Sequence, residues 1–311
     1  MHFLKNIIGT FWSSLLNKRL VATRDFAAVT VIVEKCDRHP VLFQDVSRSV
    51  CIQTLFGFAI KCDRTDYIGR SIIFTGVWEP LIAQTIRHCL KDGDLCIDIG
   101  ANIGFDTLVM ATAVGHDGHV IAIEPDWTNI MSLIANLKLN RIANVELLSI
   151  GVGSEHGSAI LNVGGQRGHS NFRPGQDVEI DHQSVAIAPI KAVLASSRDR
   201  IRLIKLDIEG FEYNALKGLG DLLQRTDVVL CEIDDNFLSE CGSSSRELFD
   251  LMRSFGFTSY CADPESNGPW KLGDESYVSA KTFTSGHRPF DAFFVRPEAV
   301  DIQPLLTQAR I

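Results

Sequence analysis

The sequence lacks any C-x-x-C pair. Its eight cysteines (Cys36, Cys51, Cys62, Cys89, Cys96, Cys231, Cys241 and Cys261) are scattered, with no histidine cluster beside them. Zinc-site spacing is therefore absent, and the scatter points to a reducing, cytoplasmic setting. A basic excess is also missing: Lys plus Arg number 30 against 38 Asp plus Glu, a net charge of −8. A chain that lives on phosphate contacts carries the opposite balance, so nucleic acid is not the expected partner. No apolar run reaches the roughly 18 residues that a membrane span needs. Internal repeats and low-complexity stretches are absent too. Apolar residues make up 45% of the 311 and charged residues 22%, enough for a sizeable core in one large or two ordinary domains.

The first 20 residues place Phe3, Leu4, Ile7, Ile8, Phe11, Trp12, Leu15 and Leu16 at helical spacing, with polar residues between them. The interruptions read as an amphipathic helix rather than a secretory leader. Such a helix covers its own domain, makes a homo-oligomer contact, or lies on a membrane surface. Cys51–Leu55 and Phe58–Cys62 read as a hairpin turning near Gly57, followed by a polar connection from Asp63 to Gly69. From Pro80 onward the rhythm changes. Helical segments at Leu81–Leu90, Phe105–Val114, Trp127–Leu139, Glu212–Leu219 and Ser244–Phe255 alternate with apolar strands. The strands are Leu95–Ile99, His119–Glu124, Val145–Ile150, Leu203–Ile208, Val228–Ile233, Thr258–Ala262 and Phe290–Val295. A polar, glycine-rich excursion (157–183) interrupts the series. Alternation of this kind indicates a mostly parallel sheet with helices on both faces, whose ligands bind beyond the carboxyl ends of the strands.

Those ends carry the chemistry. Asp98-Ile99-Gly100-Ala101-Asn102-Ile103-Gly104 runs from strand through a glycine turn into helix. Read as G-x-G-x-x-G it fails: Asn102 and Phe105 stand where the second and third glycines belong, and a side chain there keeps a pyrophosphate away. Glu124, 20 residues after Gly104, ends the next strand ahead of Pro125 and is placed to accept two ribose hydroxyls. In Lys205-Leu206-Asp207-Ile208-Glu209-Gly210, period-two alternation sets Lys205, Asp207 and Glu209 on one side. Either they pair structurally, Lys205 with Asp207 or Glu212, or they face a cleft that holds a base. Glu232 and Asp234 add acids at a fourth end. Oxygen ligation of a divalent cation by Asp207, Glu209, Glu232 and Asp234 is conceivable, but nothing in the spacing brings them together, and no metal is expected.

Taken together, Asp98–Gly104, Glu124-Pro125 and the Lys-x-Asp-x-Glu-Gly element resemble the FkbM-type family of S-adenosylmethionine-dependent methyltransferases. Gly76-Val77-Trp78-Glu79-Pro80 upstream, with Leu216-Lys217-Gly218, Cys231-Glu232-Ile233 and Phe293-Phe294-Val295-Arg296 downstream, extend the resemblance over about residues 50–297. It implies a class I methyltransferase (Rossmann-like) α/β fold with a seven-stranded sheet and one antiparallel strand near its end. The corresponding division is an N-terminal helix and hairpin extension (1–75), a methyltransferase domain (76–300) and a tail (301–311). The implied reaction moves a methyl group onto a hydroxyl of a saccharide or other hydroxylated small molecule. Glu79, Asp98, Gly100, Asn102, Gly104, Glu124, Pro125, Gly151 and Val152 would hold S-adenosylmethionine. Asp207 or Glu209 would act as base, with Lys205 tuning them or acting itself if its pKa is depressed. Arg167, His169, Ser170 and Asn171 are candidates for the acceptor pocket. Two other functions fit a sheet of this kind: an NAD-dependent oxidoreductase, against which Asn102 counts, and a binding protein without catalysis.

Overall fold

The computed structural model describes residues 49–163, 170, 181–194, 200–262, 269–274 and 289–307. The amphipathic pattern of the first 20 residues lies outside them, as do Arg167, His169 and Asn171.

The described chain opens with β1 (Ser49–Gln53) and β2 (Ala59–Asp63), an antiparallel hairpin as expected. The stretch read as a polar connection then enters α1 (Tyr67–Thr75). Asp66 caps it by accepting from the Gly69 N–H, and Gly76 closes it in the left-handed region. Next come α2 (Pro80–Cys89), β3 (Leu95–Ile99), α3 (Phe105–Ala113), β4 (His119–Ile123), α4 (Trp127–Leu139) and β5 (Val145–Leu148). The glycine-rich excursion is not a loop throughout. It opens with β7 (Gly157–Val163) and ends in β8 (Asp181–Ala188), which with β6 (Gly151–Val152) just before it form a separate sheet in the order β6-β8-β7. Its glycine and polar content hid the alternation that places Leu161, Val185 and Ile187 inside. The remaining elements are α5 (Ile190–Val193), β9 (Ile201–Leu206), α6 (Glu212–Leu219), β10 (Thr226–Ile233), α7 (Asp235–Glu240), α8 (Ser245–Ser254), β11 (Thr258–Ala262), β12 (Lys271–Leu272), β13 (Phe290–Val295) and α9 (Gln303–Leu306).

The large sheet runs β12-β11-β13-β10-β9-β3-β4-β5. From β10 through β5 every pairing is parallel, and β13 lies antiparallel between β10 and β11. Seven strands thus make the expected sheet, and the two-residue β12 adds an eighth at the edge. One face, with Leu203, Leu230 and Phe293, packs against α1, α2, α3 and the hairpin through Ile72, Ile86, Leu108 and Ile60. The other, with Ile204, Leu206 and Val229, packs against α6 and α8 through Leu216, Leu248 and Phe249. Burial on both faces explains why these strands read as continuous apolar runs. No helix among the described residues is long and apolar enough to cross a membrane.

Candidate active site

Register brings the strand-end residues together. Asp98 on β3 is the cross-strand partner of Lys205 on β9, Leu230 on β10 stands opposite Lys205, and Glu232 stands opposite Asp291 on β13. Because side chains alternate, Asp98, Lys205, Glu232 and Asp291 fall on one face, the one that carries Leu203 and Leu230. Polar groups there continue a face that is apolar toward the other end of the sheet.

Lys205 is the hub. Its Nζ lies 3.1 Å from Asp106 Oδ2 and 3.2 Å from Asp207 Oδ2, and its side chain is only 7% exposed. Burial pulls its pKa down, but the carboxylates of Asp207, Asp106, Asp98 and Glu79 outweigh burial and hold it well above the usual lysine value. Those carboxylates hold Lys205 as a cation, so the condition for its acting as a base, a depressed pKa, is not met, and its tuning role is the one the geometry suits. The carboxylates respond the other way. Burial raises Glu79 and Glu232 well above the ordinary glutamate value and Asp98 to about 6, and it raises Asp106 as well. Asp98 is fully buried. Its Oδ2 accepts a 2.5 Å hydrogen bond from the Thr107 hydroxyl, and its Oδ1 has no partner among the described residues.

Asp207 follows the last residue of β9, and its backbone N–H donates to the Ile99 carbonyl. The strand has ended by then, so period-two alternation stops. Glu209 turns into the left-handed region at φ 56°, and its charge still acts on Glu232. Glu212 holds this turn: its Oε1 accepts from the N–H groups of Ile208 (3.0 Å) and Gly210 (3.1 Å) rather than pairing with Lys205. A narrow cleft, with room for about one water molecule, is lined by Glu79, Lys205, Asp207, Glu232 and Asp291 over an apolar floor that includes Ile82.

The glycine turn adjoins the same strand ends. Gly100 has φ 87°, and a Cβ there would sit 1.9 Å from the Asp207 carbonyl oxygen, so only glycine lets the two strand ends approach this closely. Asn102 is also left-handed (φ 49°), and its Oδ1 accepts from the Ile103 N–H. Glu124 staples the turn: Oε2 accepts from the Asn102 N–H at 2.7 Å and Oε1 from the Asp126 N–H at 2.8 Å. Burial pushes its carboxyl up to about 7 against the pull of those bonds. Gln183 on β8 bridges the rim, donating to the Pro125 carbonyl and accepting from the Trp127 N–H. The hydroxyl of Ser170 donates to Asp126, the cap of α4. Gly104 stands between this turn and α3. Gly151 and Val152 are buried in β6, Val152 within the core.

Sequence reasoning missed Asp106 and Asp291. Each is a lone acid inside an apolar element, Phe105–Ala113 and Phe290–Val295, and that misplaced charge was the available signal. Asp234 caps α7 and is not free for a metal. Among the described residues, no group of three or more His, Cys, Asp and Glu side chains is arranged to hold a metal ion.

The donor set decides what ligand fits. One ammonium amid an excess of carboxylates, with a buried unpartnered Asp98 oxygen and lone pairs left on Glu124, suits a ligand bearing a positive sulfur, an ammonium and ribose hydroxyls. A pyrophosphate would meet repulsion there. Sheet order, inserted antiparallel strand and acidic strand ends together define a class I methyltransferase architecture. The profile of the Methyltransferase FkbM domain matches residues 98–259, more than half of the chain, and the chain belongs to that family of S-adenosylmethionine-dependent methyltransferases. It is similar to "Methyltransferase 1" of Beauveria bassiana, at 25% identity over 170 residues, covering 47% of this chain and 68% of that protein. Among solved structures it is similar to an rRNA methylase from Streptococcus thermophilus, with 14% identity, a TM-score of 0.39, and 70% and 94% of the two chains covered. It is also similar to fibrillarin from Aeropyrum pernix bound to S-adenosylmethionine, with 12% identity, a TM-score of 0.38, and 69% and 74% covered. The assignment rests on the family match and the topology, not on those two distant likenesses.

Proposed function

We propose that the protein transfers the methyl group of S-adenosylmethionine to a hydroxyl oxygen of a saccharide or other hydroxylated small molecule, with Asp207 as the proton acceptor. The observation that carries this reading is Asp207 itself. It stands at the strand end on the rim of the cleft, with one oxygen anchored by an ammonium that cannot leave. When bound, S-adenosylmethionine supplies an electrophilic methyl on a positive sulfur, which departs as a neutral thioether. Glu124 and the Asn102 turn would hold the ribose, Asp98 and the Gly100–Gly104 backbone the amino acid part, and the start of β6 the adenine side. Asp207 takes the proton as the acceptor oxygen bonds to carbon and later gives it to water, so charge balances. Glu232 lines the cleft beside it and orients the acceptor, Glu79 holds the cofactor from the same cleft, and Glu209 flanks the turn. General-base help of this kind is worth about 10²- to 10⁴-fold, and alignment supplies the larger share.

The test pairs two measurements. Asp207→Asn is expected to lower methyl transfer at least about 100-fold while S-adenosylhomocysteine still stabilises the fold. Transfer at the wild-type rate would remove Asp207 from the reaction. Stabilisation by NADH in place of S-adenosylhomocysteine would overturn the ligand assignment.

A further inference from the structure

We propose that Asp106 is a positioning residue for this transfer: it divides the Lys205 ammonium with Asp207 and so fixes where the Asp207 carboxylate stands and how readily it takes a proton. The inference rests on the reading of Asp207 as proton acceptor.

Asp106 sits in the first turn of α3, between Phe105 and the buried run Leu108, Val109, Met110. A carboxylate near a helix N-terminus is electrostatically welcome, but it ordinarily caps backbone or faces water. Asp106 does neither. Only 5% of its side chain is exposed, its Oδ2 lies 3.1 Å from Lys205 Nζ, and its Oδ1 is buried without a partner among the described residues. A pair placed only for stability is poorly explained by that arrangement, since a well-packed apolar pair is as stable or more so. The two carboxylates stand almost equally far from the ammonium, at 3.1 and 3.2 Å. Neither takes the whole cation. An ammonium held by Asp207 alone would stabilise its anion fully and weaken it as a base; sharing with Asp106 leaves part of its proton affinity.

The other charged groups set the background. Asp98 faces Lys205 from β3, and Glu79 approaches from the start of α2. Glu232 and Asp291 face the same cleft from β10 and β13, and Glu209 acts on Glu232 from the turn. Asp98 leans on the Thr107 hydroxyl, so it is not a substitute for Asp106. Among the described residues, Asp106 is the helical carboxylate within ion-pair distance of the cation that holds Asp207.

The experiment compares wild type, Asp106→Asn, Asp106→Glu and Asp207→Asn in full-length protein, measuring kcat against pH and affinity for S-adenosylhomocysteine. Asp106→Asn is expected to lower kcat about 10- to 100-fold, as for a misplaced catalytic group, with S-adenosylhomocysteine affinity within about 3-fold. The acidic limb of its kcat profile should move to lower pH, because Lys205 then acts on Asp207 undivided. Asp106→Glu keeps the charge but moves it, so its acidic limb should stay in place while kcat falls several-fold. Should the Asn variant melt below the assay temperature, the Glu variant carries the test. Wild-type kcat in either Asp106 variant, or an unmoved limb in Asp106→Asn, overturns the role of Asp106 while Asp207→Asn remains inactive. Wild-type turnover in Asp207→Asn brings down the underlying reading instead.

Discussion

Glu124 shows how one buried residue can tie the site to pH. Its carboxyl is 4% exposed and is pushed from the ordinary 4.5 to about 7 by burial. Between those values the folded protein holds a proton that the unfolded chain has released. Stability from this group is therefore full below about pH 4.5, declines as pH rises, and levels off above about 7, a loss of about 3 kcal/mol at most. Glu212 and Asp98, also raised by burial, act in the same direction. Melting temperature should fall from pH 5 to pH 8. Glu124→Gln should flatten that slope while lowering stability at pH 5, because one backbone N–H loses its acceptor; an unchanged slope would remove Glu124 as its source. Gly100 gives a prediction independent of pH. A methyl group there meets the Asp207 carbonyl in a backbone conformation that favours glycine. Gly100→Ala should cost at least about 1–3 kcal/mol in denaturant unfolding and misplace Asp207 as well.

At the scale of elements, α4 binds the N-terminal hairpin to the rest through two asparagines. Asn136 Oδ1 accepts from the Lys61 N–H and its Nδ2 donates to the Ile103 carbonyl, while Asn140 brackets the backbone of Ala59. Asn136→Ala should strand a buried donor and acceptor and cost about 2–4 kcal/mol, read by chemical denaturation, with β1 and β2 gaining amide exchange first. The sequence disclosed α4, α6, β11 and β13 to the residue because their apolar residues recur at helix or strand spacing and polar or glycine-bearing turns bound them. It did not disclose α1, because the polar run before Tyr67 drowned the capping signal of Asp66 and Gly76. Nor did it disclose β7 and β8, whose alternation is diluted by glycine and serine. Strand-end acids were legible where an apolar run leads into a turn, as at Asp98, Glu124 and Asp207. Asp106 and Asp291 became meaningful only through strand register and helix packing, which join residues far apart in the chain. The left-handed turn at Glu209 was not legible, because strand alternation gives no sign of where β9 stops.

For the whole molecule, two faces of one sheet divide the labour. The β9–β10 face that packs α6 and α8 stays apolar toward the carboxyl ends, through Ile204, Leu206, Val229, Cys231 and Ile233, whereas the opposite face turns from Leu203 and Leu230 to Lys205, Glu232 and Asp291. The hairpin contributes Phe58, Ile60 and Cys62 to the same core as α2 and α3. Removing residues 49–63 should therefore expose apolar surface and drive aggregation, measurable by light scattering, rather than release an independent methyltransferase. The placement of β13 has a further consequence during synthesis on the ribosome. Until residues 290–295 emerge, β10 and β11 have no strand between them, and a fully buried segment waits with an open edge. The nascent chain must stay shielded until that segment has left the exit tunnel, because only then can the sheet close between β10 and β11.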